Sequence, residues 1–329
     1  MVEAGRESML PVRSRLMRLR HREPMMPYYG YRLASSLVRV LPRRASFALA
    51  DRVADALITT APSKFDPLRE NLRHVLPEMD ERDLQRVVRR NVRDLTRSWV
   101  DVMAIPLDPS ATTRRLREVD LHHYTDALAR GNGVVVVSMH FGAWEAGLAA
   151  WNGGKGQLAL LAEQLRPQKL FEAIAGARGA LGVKVIPIDV EAMLAGDATT
   201  ARRIGAGAMR EVFKHLRSGG GIAIAIDRDL TGTGTLIPFF GTPARIPLGV
   251  VEVGIRSGAA IVPIALRRTS WGVEGMVFPE RAYDAAAPRE AEAERVSREV
   301  LAIFEQVIRA HPEQWHVLDR VWPKAGTTS

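Results

Sequence analysis

From about residue 105 onward, short apolar runs alternate with longer segments of helical periodicity. The run Gly133-Val134-Val135-Val136-Val137-Ser138-Met139 is too short for a helix and reads as a buried strand. Runs at 157–163, 183–187, 221–227 and 260–267 read the same way, with shorter extended pieces at 236–240 and 275–278. Residues 119–130, 144–152, 167–181, 201–217, 247–257 and 288–310 between them are expected to be helices. Buried strands alternating with helices predict an α/β fold: a mostly parallel central sheet flanked by helices on both faces. Residues 191–200 have no clear period and read as a mobile loop.

The pattern before residue 105 is helical only. Residues 27–59 read as two helices broken at Leu41-Pro42. Leu33, Ser36, Leu37 and Val40 share one face, and Phe47, Ala50, Val53, Ala54 and Leu57 share another. A short helix closes at Asn71-Leu72-Arg73-His74-Val75-Leu76-Pro77, with Pro77 as its stop. Residues 80–104 form the clearest amphipathic helix, with Leu84, Val87, Val88, Val92, Leu95, Trp99 and Val100 at helical spacing. Its second stripe, Arg82, Arg86, Arg90, Arg93 and Arg97, is either a solvated face or a surface that meets phospholipid. The expected organisation is an N-terminal helical, membrane-associating region over 1–104 and an α/β core over 105–322. The two form one globular unit, followed by a tail at 323–329.

Charge sharpens the membrane expectation. The 329 residues carry a net charge of +9. Ten arginines stand against Glu3, Glu7 and Glu23 within residues 1–45, a net +7. Met9, Leu10, Leu16, Met17, Leu19, Met25, Met26, Tyr28 and Tyr29 are mixed among them. That mixture suits an interfacial helix, whose apolar groups enter the acyl boundary while cations meet anionic head groups. A basic tail or a nucleic-acid arm is the other reading, but aromatics are only 6% and no nucleic-acid motif occurs. No stretch of about 18 uninterrupted apolar residues is present, so a bilayer-spanning helix is not expected. No secretory signal is read either, which points to a cytosolic or peripheral protein on the cytoplasmic membrane face. Cysteine is absent, which removes thiolate chemistry and disulfides.

The candidate chemistry begins where the valine strand ends. His140 follows the strand, Gly142 allows a sharp turn, and Glu145 lies in the first turn of the next helix. A histidine there can serve as general base if a carboxylate accepts its other ring N–H, and Glu145 is the expected carboxylate. The helix N-terminus offers free N–H groups for an oxyanion. Glu163, Arg166 and Arg178 follow the next strand; the two arginines could bind phosphate or form salt bridges, for instance with Glu163. Asp227-Arg228-Asp229 again directly follows a buried strand and reads as polar support for the catalytic region. No further His or acid has the spacing to make a metal site there. There is no P-loop, no G-x-G-x-x-G after a strand and no G-x-S-x-G elbow, so nucleotide-phosphate and serine-hydrolase sites of those kinds are not expected.

His140-Phe141-Gly142-Ala143-Trp144-Glu145 resembles the H-x-x-x-x-D/E motif of the lysophospholipid and lipid A late acyltransferase superfamily. Four more pieces fit in order: Asn71-Leu72-Arg73 with Pro77; Glu163 with Arg166-Pro167 and Arg178; Asp227-Arg228-Asp229 with Phe239-Phe240-Gly241; and Pro312-Glu313-Gln314-Trp315. Together they cover roughly residues 65–320. Within the superfamily the chain looks most like the phosphatidylinositol mannoside acyltransferases of actinobacteria. The resemblance implies transfer of a fatty acyl group from acyl-CoA to a mannose hydroxyl of a phosphatidylinositol mannoside, without a cofactor, a metal or nucleic acid. It implies His140 as base, oriented by Glu145, and acceptor binding or steadying of the histidine by Glu163, Arg166, Arg178, Asp227, Arg228 and Asp229. An apolar groove for the acyl chain is implied as well, with Phe141, Trp144, Trp151 and Phe239 as candidates. Two alternatives stay open: a glycolipid acyltransferase that uses acyl carrier protein as donor, and a non-catalytic peripheral membrane protein.

Overall fold

A computed structural model describes residues 24–151 and 157–323. Two helices open it, α1 (Met26–Val40) and α2 (Arg43–Thr60), broken at Leu41-Pro42 as expected. After a 3-10 turn come α3 (Asp66–Val75) and the long α4 (Glu81–Ala104). The Asp80 side chain caps α4 by accepting from the Asp83 N–H. Leu84, Val87, Val88 and Val92 of α4 pack with Leu68 and Leu72 of α3 and with Ala54 of α2 in a small core of their own. Of the arginine stripe on α4, Arg82, Arg86 and Arg90 are exposed, while Arg93 and Arg97 turn to α2. Arg93 and Arg89 clamp Asp55, and Arg97 binds Asp51 through both guanidinium edges, zipping α4 to α2. Hydrogen bonds from Arg93 and Arg89 hold the Asp55 carboxyl far below the usual carboxylate range.

The short α5 (Pro109–Thr113), β1 (Leu116–Val119), α6 (His122–Ala129) and β2 (Val134–Ser138) lead into the sheet. Then follow α7 (Trp144–Trp151), β3 (Leu158–Glu163), α8 (Gln168–Ala180), β4 (Lys184–Ile188), α9 (Val190–Ala195), α10 (Ala198–Arg217) and β5 (Gly221–Ala225). The hairpin β6 (Thr235–Phe239) and β7 (Thr242–Ile246) stands apart from the main sheet. Next come α11 (Gly249–Ser257), β8 (Ala260–Arg268), β9 (Val273–Val277) and α12 (Arg289–Ala310). The seven-stranded sheet runs β1-β9-β8-β2-β5-β3-β4. The ladders from β8 through β2, β5 and β3 to β4 are parallel, and β9 runs antiparallel to β8. The valines of β2 divide between two cores. Val135 and Val137 face α10, α11 and α12, while Val134 and Val136 face α6, α7 and α8. Apolar packing on both faces is why this strand is a continuous valine run.

Two expectations are corrected here. The segment read as a mobile loop forms α9 and the start of α10, each capped by an aspartate: Asp189 accepts from the Ala192 N–H and Asp197 from the Thr200 N–H. The front of the segment read as one helix over 119–130 is instead β1 and a turn at Asp120.

On α1, Met26, Tyr29, Leu33, Leu37 and Val40 lie on one face and are 38–78% exposed. Leu49, Val53 and Leu57 of α2 are exposed as well. Among the described residues no helix is long and apolar enough to cross a membrane. Residues 1–23, where most of the predicted basic apolar segment falls, lie outside the described residues, as do 324–329 of the tail.

Candidate active site

The register of β2 on β5 sets the site. Ser138 pairs with Ala225, and the ladder continues past the strand ends through the Ile226 N–H to the Ser138 carbonyl. His140 and Asp227 stand one step further along the same register. They therefore meet over the carboxyl edge of the sheet, where α/β folds place their chemistry. The His140 Nδ1 lies 2.9 Å from Asp227 Oδ1, and the His140 backbone N–H donates to Oδ2 at 2.8 Å. A third donor, the Trp315 indole N–H, reaches Oδ2 at 2.8 Å. Burial pushes the Asp227 carboxyl up, but attraction to His140 and these three hydrogen bonds outweigh it and leave the group below its ordinary value. A carboxylate only accepts, so Nδ1 carries the ring proton and Nε2 is left with its lone pair. Asp227 is 1% exposed and the His140 side chain 35%, so the pair has a buried anchor and an accessible working end.

The carboxylate that meets the His140 ring is Asp227, which the resemblance had offered among the groups that steady the histidine, and not the expected Glu145. Glu145 is buried and engaged elsewhere: Arg178 Nη2 donates to Oε1 at 2.7 Å and Nε to Oε2 at 3.2 Å. That pair joins α7 to α8, and the Arg178 guanidinium lies 4.9 Å over the Trp144 ring. The turn between His140 and α7 is pinned from behind. Gly142 has φ +58°, and a Cβ there would come within 2.0 Å of the Leu266 carbonyl oxygen, so no other residue fits. The N–H groups of Phe141, Gly142 and Ala143 bond Met139, Gln314 and Leu266 carbonyls, so these three are not the free oxyanion donors expected at the helix start.

A cavity of about 450 Å³ opens beside His140. Trp144, Leu148, Val136 and Leu160 line it from one face of the sheet, and Met209, Val250 and Val253 from the other. Both faces contribute because β3 and β5 part: their ladder ends at Leu160–Ala223, while β3 stays on β4 to Glu163–Ile188. The polar rim holds Glu163, Arg178, Arg228 and Asp229. Arg228 binds Glu163 at 2.9 Å and also Asp319. Asp229 accepts from the N–H groups of Thr231, Gly232 and Gly234, so its work is to shape the loop that follows. Arg166 does not line the cavity; it pairs with Asp189 and Glu191 at the start of α9.

Of the predicted groove residues whose side chains are described, only Trp144 is on the cavity wall. Phe141 is fully buried and bridges Trp315 through the backbone. Phe239 is fully buried in an aromatic cluster, stacked on Trp322 at 5.6 Å. Both belong to the large core packed under α10, α11 and α12. The Trp151 side chain lies outside the described residues. Among the described residues no group of three or more His, Cys, Asp or Glu could hold a metal ion.

The sequence marked Pro312-Glu313-Gln314-Trp315 and Asn71 as motif pieces, but not that they meet in a strap behind the site. Residues 312–322 cross behind His140, where the His316 N–H donates to the His140 carbonyl at 2.7 Å. Asn71 of α3 donates to the Val317 and Asp319 carbonyls, and Asn91 of α4 donates to the Trp315 carbonyl at 2.6 Å. His316 lies between Asn91 Oδ1 and Asp94 Oδ2, and Asp94 pairs with the buried Arg268 at 2.6 Å. Asn91, a buried asparagine inside the apolar stripe of α4, was the signal not used.

The sequence model of bacterial lipid A biosynthesis acyltransferases matches residues 17–324. A phosphatidylinositol mannoside acyltransferase of Mycolicibacterium smegmatis (strain ATCC 700084 / mc(2)155) is 28% identical over 307 residues, covering 89% of this chain and 90% of that relative. One of the same description from Mycobacterium tuberculosis (strain CDC 1551 / Oshkosh) is 27% identical over 264 residues, covering 78% and 77%.

Proposed function

From the premise that the chain belongs to the bacterial lipid A biosynthesis acyltransferase family and is an acyltransferase, we propose that it moves a fatty acyl group from acyl-CoA to a mannose hydroxyl of a phosphatidylinositol mannoside. The observation that carries this reading is the His140–Asp227 pair at the mouth of an apolar cavity. Nε2 of His140 takes the proton of the sugar hydroxyl as its oxygen attacks the thioester carbonyl carbon. Asp227 keeps the resulting imidazolium oriented and its charge balanced. The tetrahedral adduct collapses, the carbon–sulfur bond breaks, and His140 returns the proton to the leaving thiolate. The reaction so written needs neither an acyl-enzyme nor a cofactor. The acyl chain lies in the cavity where β3 and β5 part, and Glu163, Arg178 and Arg228 face the sugar at its rim.

The acceptor is a membrane lipid, and the exposed apolar stripes of α1 and α2, flanked by Arg32, Arg39, Arg44 and Arg52, support peripheral seating on an anionic surface. We read its location as the cytoplasmic face of the plasma membrane. The deciding experiment is mass spectrometry of lipids after the purified protein meets mannosylated phosphatidylinositol and a series of acyl-CoAs. One added acyl mass with matching CoA release is expected, and His140→Ala abolishes it without lowering the melting temperature. Unchanged turnover in that variant overturns the mechanism, and transfer from acyl carrier protein alone overturns the donor.

A further inference from the structure

A second cavity, of about 230 Å³, lies on the other side of Glu145 and shares no lining residue with the first. Its walls are apolar, from Val38 and Leu41 at the end of α1 to Val100, Ala104 and Ile105 on α4. Seven polar or charged residues break that lining. Ser98, Asp101, Asp108 and Glu145 are engaged by neighbouring groups, Asp101 by Arg268, Asp108 by Arg114 and Glu145 by Arg178, which leaves three. The Ser46 hydroxyl is 3% exposed and has no hydrogen-bond partner among the described residues. Arg43 lines the cavity and is only partly neutralised, since the Asp101 it binds at 3.1 Å also serves Arg268. Arg115 lines it too and has no ion-pair partner among the described residues, while the nearby Asp108 is taken by Arg114.

A buried donor without an acceptor costs about 1–3 kcal/mol, so the cavity is built for a guest that brings an oxygen to Ser46. Arg43, one turn before Ser46 on α2, and Arg115 ask for an anion as well. A free fatty acid would bring one carboxylate for all three groups. A glycerophospholipid carries an ester carbonyl at the head of each tail and a phosphate a few bonds away. The cavity wall is also continuous with α1, whose exposed stripe ends at Leu37 and Val40 beside Val38. We propose that this cavity takes one acyl chain of an anionic membrane phospholipid, with its ester carbonyl on Ser46 and its phosphate at Arg43 and Arg115. It is a site for a lipid that is not consumed. Glu145 is its partition from the active site, so the guest bears on the carboxylate that holds Arg178. The inference rests on the reading that the protein works at a membrane surface, and its test therefore needs no membrane.

The test is titration of the full chain with monomeric dihexanoyl phosphatidylglycerol, followed by calorimetry and native mass spectrometry. One lipid bound per chain is expected. Ser46→Ala weakens it about fivefold, the loss of one hydrogen bond, and Arg115→Ala weakens it at least as much. Ala104→Phe fills the cavity and removes the site; if that variant melts early, Ala111→Leu at the same wall replaces it. Sodium hexanoate and inorganic phosphate, each alone, fail to compete at equal concentration. Binding that ignores Ala104→Phe and Arg115→Ala overturns the proposal. Competition by hexanoate makes this a fatty-acid site and competition by phosphate a bare anion site, and either result overturns it. None of these outcomes depends on whether the protein binds vesicles.

Discussion

Asp227 receives three donors on two oxygens, and one of them, the His140 ring N–H, fixes which nitrogen of the histidine keeps its lone pair. Asp227→Asn keeps the shape but turns one oxygen into an N–H group. That group then faces either the Nδ1–H or the Trp315 indole N–H, and the favoured tautomer is lost. We expect kcat for acyl transfer to fall about 10²–10⁴-fold with KM little changed, measured by CoA release. A loss confined to KM means that Asp227 shapes substrate binding instead. At this scale half of the pair was legible in the sequence. His140 and Asp227 both directly follow apolar runs, and a strand end is a local feature. Which acid meets the histidine is not local, because it depends on β2 lying beside β5 in a particular register. Proximity in the chain favoured Glu145, five residues from His140, while the partner is 87 residues away. Arg178 claims Glu145 for a reason equally invisible in the sequence, the packing of α8 against α7.

At the scale of elements, α4 and the strap behave as one unit. Asn91, Asp94 and Ser98 on α4 reach Trp315, His316, Arg268 and the Gly142 carbonyl. Burial raises the Asp94 carboxyl, but Arg268 and His316 together draw it below its ordinary value. A depressed carboxylate contributes stability that is fully present above the unfolded value of about 3.9 and is lost as pH falls through the lowered folded one. Asp94→Asn is therefore expected to cost about 3–5 kcal/mol at neutral pH, with the gap to the parent protein closing as pH drops from about 5 toward 2. Urea unfolding at several pH values measures that gap, and a constant difference rules out the ionic pairing as its source. Elements were legible where one physical signal dominated, as in the valine run of β2 and the break at Pro42. Leu116-Arg117-Glu118-Val119 forms β1 largely exposed at the sheet edge, with no buried face to leave a pattern. β7 was missed because Pro243 and Arg245 interrupt its apolar positions, and its pairing with β6 comes from the turn at Phe240 and Gly241, both at positive φ.

At the scale of the whole molecule, the apolar stripe of α1 faces outward while Tyr31 of the same helix is half-buried near Glu145 and Arg178. Leu33→Glu combined with Leu37→Glu should leave the fold and the soluble chemistry intact while cutting flotation with anionic vesicles at least tenfold. Binding of the parent protein should weaken as salt rises. Flotation that is indifferent to both changes moves the membrane contact away from α1. The strap has a consequence for how the molecule comes into being. His140 and Asp227 leave the ribosome well before Trp315, and the helices α3 and α4 wait longer still for the carbonyls that Asn71 and Asn91 bind. A nascent chain can build the sheet yet lack the indole that completes the Asp227 clasp. A chain broken off before residue 315 therefore keeps the strand register that brings His140 to Asp227 but lacks the indole N–H on Asp227 and the carbonyls that Asn71 and Asn91 bind.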